Sequence, residues 1–220
     1  MHEPQLPLKS TILLAAIRAF LGLEALVGAV RGIGPVVFVT LAALVLTFLP
    51  GHLANRVGLR LPPSFLVAIA LFVMASLYLG EVYDFYNRLW WWDLALHMGS
   101  AIGFGVLGFL LIFMLFEGDR YAAPPWAIGA LSFCLAITVG TVWEIFEFGM
   151  DMLFGFNMMK SGLPDTMGDL IVNAIGAALA AGAAVFYLSD VARGRLRAPF
   201  NSFIDSNRER FRKLVRRKKP

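Results

Sequence analysis

A chain of 220 residues that is 59% hydrophobic and only 15% charged, with a mean hydropathy of +0.72, is not a soluble domain, because soluble domains carry about 25% charged residues. The formal net charge of +4 misleads as an average: 11 of the 19 lysines and arginines lie after Val191, and the preceding 190 residues carry 8 basic against 13 acidic residues. A single cysteine, Cys134, excludes a disulfide framework and a thiolate metal site, and reads as a small buried hydrophobe.

Hydropathy predicts an all-α, polytopic fold with six spans near 10–30, 34–51, 63–84, 93–116, 125–149 and 166–189. The first does not read as a cleavable signal peptide: Arg18 and Glu24 interrupt it, and no small-x-small site follows in a suitable place. RGIGP at 31–35 and the pair Pro50-Gly51 mark the ends of the first two spans. Pro62-Pro63 and Pro124-Pro125 open the third and fifth, where proline is tolerated at a helix start. The 150–165 connection is the longest between spans and rich in Met, Phe and Gly, suited to dipping into the membrane. Residues 1–190 thus form a six-helix transmembrane domain and 191–220 a tail.

Lysine and arginine placement sets the orientation. With both termini cytoplasmic, the inside holds Lys9, Arg56, Arg60, Arg120 and the eleven basic residues of the tail, and the outside only Arg31, Arg88 and Lys160. The tail places Phe200, Phe203, Ile204, Phe211, Leu214 and Val215 at helical spacing among arginines and lysines, a basic amphipathic helix suited to an anionic inner leaflet. That accounts for its charge without nucleic acid.

The intramembrane acids then fall at one level. The third span ends with Glu81 and Asp84. The fourth opens with WWWDLALH, giving Asp93 and His97 at i, i+4. The fifth ends with TVWEIFEFGMD, giving Glu144, Glu147 and Asp151 on one helix face, and the sixth opens with DTMGDLIVN, giving Asp165, Asp169 and Asn173. A carboxylate facing lipid costs roughly 3 kcal/mol on insertion scales, so these side chains are expected to face one another in a pocket open to the outer side. Protonation, a bound cation, or pairing with Arg18 or Arg88 would relieve their repulsion, and Arg88 in the outer loop is the easier partner. Glu24 is a further acid or a lone partner for Arg18.

One histidine with carboxylates and an amide suits Zn²⁺, Mn²⁺ or Fe²⁺; without His97 the set would read as Mg²⁺ or Ca²⁺. The expected ligands of a divalent metal ion (Zn, Mn, Fe or Mg) are Asp93, His97, Glu144, Asp169 and Asn173, with Glu147, Glu144 and Asp169 as the catalytic acids. Glu81, Asp84, Asp151, Asp165 and Arg88 complete the pocket. Blander readings stand beside these. Asp93 and Asp165 cap their helices, Asp151 is a solvated loop residue, and Glu81 and Asp84 are interfacial. The four deeper residues, His97, Glu144, Glu147 and Asp169, then form a structural network. Gly99 and Gly103 form GxxxG on the fourth span, followed by Gly105 and Gly108, and small residues from Gly176 to Gly182 line the sixth, which would bring these two helices together; a homodimer interface is the alternative use of such a face.

The order WWDLALH, WEIFEFGMD, DTMGDLIVNAIGA resembles the YjdF-like bacterial inner-membrane proteins over nearly the whole chain except the tail. The shorter pattern of Asp169, Asn173 and Gly176 is similar to the VanZ-like proteins. The resemblance implies a multi-pass protein of the bacterial inner (cytoplasmic) membrane and no particular reaction, so the chemistry rests on the residues. Three functions fit them. One is an outward-facing, metal-assisted enzyme acting on a lipid or lipid-linked headgroup, although no GxSxG, HExxH or histidine-box pattern is present. A second is a non-catalytic membrane scaffold or lipid- or ion-binding protein. The third is a proton-coupled transporter, against which stand the one-sided placement of the acids and the thin polar trail of Ser76, Ser132, Thr138 and Thr141.

Overall fold

In the computed structural model, residues 8–116, 123–188 and 207–208 are described. Among them the fold is all-α, and six helical segments are long and apolar enough to cross a membrane. This is the expected polytopic architecture. The amphipathic helix expected over 191–220, and Arg120, fall outside the described residues except for Asn207 and Arg208. The chain divides into two compact units, residues 1–92 and 93–220.

The first unit begins with α1 (Leu8–Val30) and α2 (Gly34–Arg56). Gly32, at a φ of +69°, makes the turn between them where the RGIGP stretch predicts it, and Ile33 N–H returns to the Gly28 carbonyl at 2.9 Å. Gly28 lets α2 come close: an added Cβ there would stand 3.2 Å from the Val36 and Val37 side chains. The expectation that the second span ends at Pro50-Gly51 is corrected, because α2 runs through Pro50 to Arg56. A proline inside a spanning helix is tolerated where neighbours and local adjustment satisfy the freed backbone group. Arg18 turns toward α2, donating to Thr47 Oγ1 at 3.2 Å and to the Thr47 carbonyl at 2.8 Å, with its guanidinium 3.8 Å from the centre of the Phe48 ring. Its partners are therefore neutral groups of α2.

The third span starts as α3 (Pro63–Val73) and continues as a nine-residue π-helix, Met74–Val82. The wider coil ends with Tyr83 N–H on the Tyr78 carbonyl, an i to i−5 bond. Gly80 sits against the ring of Tyr86, leaving no room for a Cβ. Buried Tyr78 packs edge-on against Phe20 and Tyr83. Asp84 adopts a left-handed φ of 60° and accepts from Asn87 Nδ2 at 2.5 Å, opening the short helix α4 (Phe85–Arg88). Asp84 and Arg88 thus bracket a tight turn, and Glu81 lies in the last turn of the π-helix.

The second unit holds α5 (Trp92–Phe116), α6 (Pro125–Phe154) and α7 (Leu163–Leu188). Each carries one buried stripe at helical spacing. On α5 it is His97, Ala101, Gly105 and Gly108; on α6 Gly129, Ser132, Ala136, Gly140, Glu144 and Glu147; on α7 Asp169, Asn173, Gly176, Ala177, Ala180 and Ala184. Small residues dominate because lipid supplies no hydrophobic drive between helices, and close backbone approach takes its place. An added Cβ at Gly105 would stand 2.5 Å from the Ala180 Cβ, at Gly129 3.2 Å from the Ala181 carbonyl oxygen, and at Gly176 2.7 Å from the Met98 carbonyl oxygen. Ser132 Oγ donates to the Gly105 carbonyl at 2.5 Å, tying α6 to α5.

The expected pairing of α5 with α7 is present, and of the small residues expected to make it, Gly105 and Gly176 do so and Gly99 and Gly103 do not. Gly99 and Gly103 have nothing within 4 Å of an added Cβ, and Ala101, Gly105 and Gly176 make the approach instead. Cys134, expected to be buried, is exposed on α6. Exposed apolar residues such as Leu131, Leu135, Ile145, Ile171 and Ile175 are what a bilayer-facing surface requires.

Candidate metal centre

The three small-residue stripes end in acids, and the same seam that packs the helices gathers the polar groups. By the rise of an α-helix, His97 lies roughly 7 Å inside the start of α5, Asp169 roughly 9 Å inside the start of α7, and Glu144 roughly 15 Å from the end of α6. His97, Glu144, Glu147, Asp169 and Asn173 are all buried, and Asp93 is partly buried.

His97 is at the centre. Its Nε2 lies 3.6 Å from Asp93 Oδ1, and its Nδ1 lies 3.4 Å from both Glu144 Oε1 and the Asn173 amide nitrogen. Asp93, His97 and Asp169 form one trio of donors, and His97, Glu144 and Glu147 another; within each trio the donor atoms lie within 4.8 Å of one another. That spread approaches what one ion with bonds of about 2.1 Å gathers. Among the described residues, both Glu144 oxygens, Asp169 Oδ2 and Asn173 Oδ1 are buried and make no hydrogen bond of good geometry, although Thr166 stands close enough to act on Glu144. Unpaired buried acceptors are costly and rare in native proteins. A cation among them would satisfy several at once.

The expected residues divide accordingly. Asp93, His97, Glu144, Glu147, Asp169 and Asn173 come together. Asp165, in the first turn of α7, stands near enough to add its charge to the field at Glu144, Glu147 and Asp169, with Lys160 beside it. Glu81, Asp84 and Arg88 belong to the first unit. Asp151, expected in the pocket or free in the loop, is instead a structural tie. Its carboxylate accepts the Met158 and Met159 N–H groups at 2.7 and 3.0 Å, holding the 155–162 connection after Gly155 ends α6 at a φ of +69°. Asp151→Ala is expected to cost about 2 kcal/mol locally, seen as faster proteolytic cleavage within 155–162 with metal retention unchanged. Loss of metal without added cleavage would return Asp151 to the site.

Two residues the sequence reading passed over shape the centre. Trp143 Nε1 donates to Glu147 Oε1 at 2.9 Å and fixes that carboxylate, whereas tryptophan near a span end ordinarily reads as interfacial belt. Gly140 makes room for Asn173: an added Cβ would stand 2.6 Å from Asn173 Nδ2. Its position one turn before Glu144 on the buried stripe is the signal that was available.

The fold and this cluster define a multi-pass membrane protein with a histidine and carboxylate group buried between spanning helices. The family described as "Predicted membrane protein (DUF2238)" matches residues 11–190, and the chain belongs to it. It is also similar to a protein from Thermotoga maritima described as "Uncharacterized protein", 29% identical over 98 residues, which are 44% of this chain and 50% of that one. The chain therefore spans about half the length of that curated relative. No solved structure matches it.

Proposed function

We propose that the chain is a bacterial inner-membrane protein, of the YjdF-like kind and more distantly VanZ-like, that binds a divalent metal ion (Zn, Mn, Fe or Mg) and uses it to hydrolyse a lipid or lipid-linked headgroup at the outer leaflet. The observation that carries this reading is the set of buried, unpartnered oxygens of Glu144, Asp169 and Asn173 around a single imidazole. Carboxylates, an amide and one histidine are the donors that such ions take. Asp93, His97, Glu144, Asp169 and Asn173 would hold the ion, which would supply Lewis-acid polarisation of a phosphoryl or acyl oxygen and a more acidic water. Glu147, oriented by Trp143, takes a proton from the attacking water as its oxygen bonds to the phosphoryl or acyl centre, and returns that proton to the leaving oxygen as the bond to it breaks, releasing a neutral alcohol. Both termini lie in the cytoplasm, and the basic tail rests on the anionic inner leaflet.

The test is reconstitution of the full chain into vesicles of bacterial polar lipids with Mn²⁺ or Zn²⁺, followed by mass spectrometry of the lipids. The wild type is expected to release headgroups or acyl chains, and Glu147→Gln to reduce the rate by at least about 100-fold while remaining monodisperse. A wild type that folds, binds metal and leaves every lipid unchanged overturns the catalytic reading. It would then be an ion- or lipid-binding scaffold or a proton-coupled transporter.

A further inference from the structure

We infer that the centre takes two divalent ions, one on each side of His97; this rests on the metal-binding reading above and extends it. The two donor trios share His97 alone, and they meet it from different ring nitrogens: Glu144 from Nδ1, Asp93 from Nε2. In the neutral ring one nitrogen carries a lone pair and the other a proton, and the two directions diverge in the ring plane, so an ion seated on Nδ1 is out of reach of the carboxylates beside Nε2. Unpartnered acceptors remain on both sides. Glu144 supplies them beside Nδ1, where the Asn173 amide presents its nitrogen and keeps its oxygen unpartnered, and Asp169, of the Asp93 trio, supplies one more. A single ion would compensate one trio and leave buried acid at the other.

Charge points the same way. Asp93, Glu144, Glu147 and Asp169 carry up to four negative charges, which two divalent ions balance. Between Asp93 and Leu188 the sequence has only Arg120 and Lys160 as lysine or arginine, and Lys160 acts on Asp165. Buried charge persists only when paired or coordinated. The two sides also differ in character. His97 Nδ1 with Glu144 and Asn173 is a mixed nitrogen and oxygen set that suits a tightly held transition ion once the Asn173 amide turns its oxygen inward, with Glu147 beside it as the base. Asp93 and Asp169 offer two carboxylates with open positions, as for an ion that keeps its waters and meets a phosphate. His97 Nε2–H then donates to Asp93, which orients the ring for the first ion.

The probe is Mn²⁺. The full chain in lipid nanodiscs, stripped with chelator, is titrated with Mn²⁺ and read by elemental analysis and electron paramagnetic resonance. The wild type is expected to take two ions per chain in two steps, with spin–spin broadening appearing in the second. Asp169→Asn, checked for monodispersity, is expected to keep one ion and lose the broadening. Saturation of the wild type at one ion overturns this inference and leaves the single-ion reading standing. Loss of both ions in a well-folded Asp169→Asn overturns the division into two sides. A folded wild type that takes no Mn²⁺ overturns both readings.

Discussion

Gly176→Ala is expected to be among the most destabilising single-methyl additions in the second unit, and Gly99→Ala, on a glycine of the same kind, to be nearly silent. The added Cβ at Gly176 would stand 2.7 Å from the Met98 carbonyl oxygen and 3.0 Å from the Ala101 Cβ. The first of these is backbone inside α5 and cannot rotate away. Relief requires α5 and α7 to move apart, and overpacking of this kind costs about 1–3 kcal/mol. The separation would also disturb the site, since His97 is one residue from Met98 on α5 and Asn173 is one turn before Gly176 on α7. At Gly99 an added Cβ meets nothing within 4 Å, and replacing glycine by alanine in a helix interior favours the helix by roughly 0.5–1 kcal/mol. Thermal unfolding in detergent, followed by intrinsic fluorescence, checks the pair. Gly176→Ala should melt several degrees below the wild type, at about 2–4 °C per kcal/mol for a chain of this size, and Gly99→Ala at or above it. Equal melting of the two would show that Gly176 does not mark the close approach.

The contrast between these glycines shows what the sequence carries. Period-3.6 patterning was enough to place Asp93 with His97, Glu144 with Glu147 and Asp169 with Asn173, each pair on one helix face, and hydropathy placed all three pairs near the same end of their spans. The structure brings these six together. Four glycines, Gly99, Gly103, Gly105 and Gly108, stood on the fourth span, and spacing alone did not say which meet a neighbour: the contact with α7 falls on Ala101 and Gly105, a face further round the helix from Gly99 and Gly103. Asp151 was not legible because its role depends on how the 155–162 connection folds back, and no periodicity reports a loop path. Pro50 read as an end because its missing N–H ordinarily is one in water; inside a span the helix passes through it. The π-helix at Met74–Val82 leaves no composition signal, and neither does the contact within it where Gly80 meets the Tyr86 ring.

Glu144→Gln is expected to reverse its effect on stability with metal. In chelator, the wild type buries a carboxylate with both oxygens unpartnered, beside Asp93, Glu147 and Asp169. Leaving a polar group in that state costs about 1–3 kcal/mol, and more when it is charged. The substitution removes the charge and keeps the shape. The amide it introduces can donate toward His97 Nδ1, 3.4 Å from the native oxygen. The variant should therefore melt above the metal-free wild type. In saturating metal the order inverts. The wild type gains about 2.7 kcal/mol at a hundredfold excess over its dissociation constant, and the variant, having lost a ligand, gains much less. A network of hydrogen bonds without metal predicts no inversion: the substitution would shift stability in one direction under both conditions. Melting curves of the two proteins in chelator and in excess Zn²⁺ or Mn²⁺ separate the cases. Parallel shifts would reject Glu144 as a metal ligand, whereas crossing curves require that the carboxylate which destabilises the empty centre is the one that holds the ion.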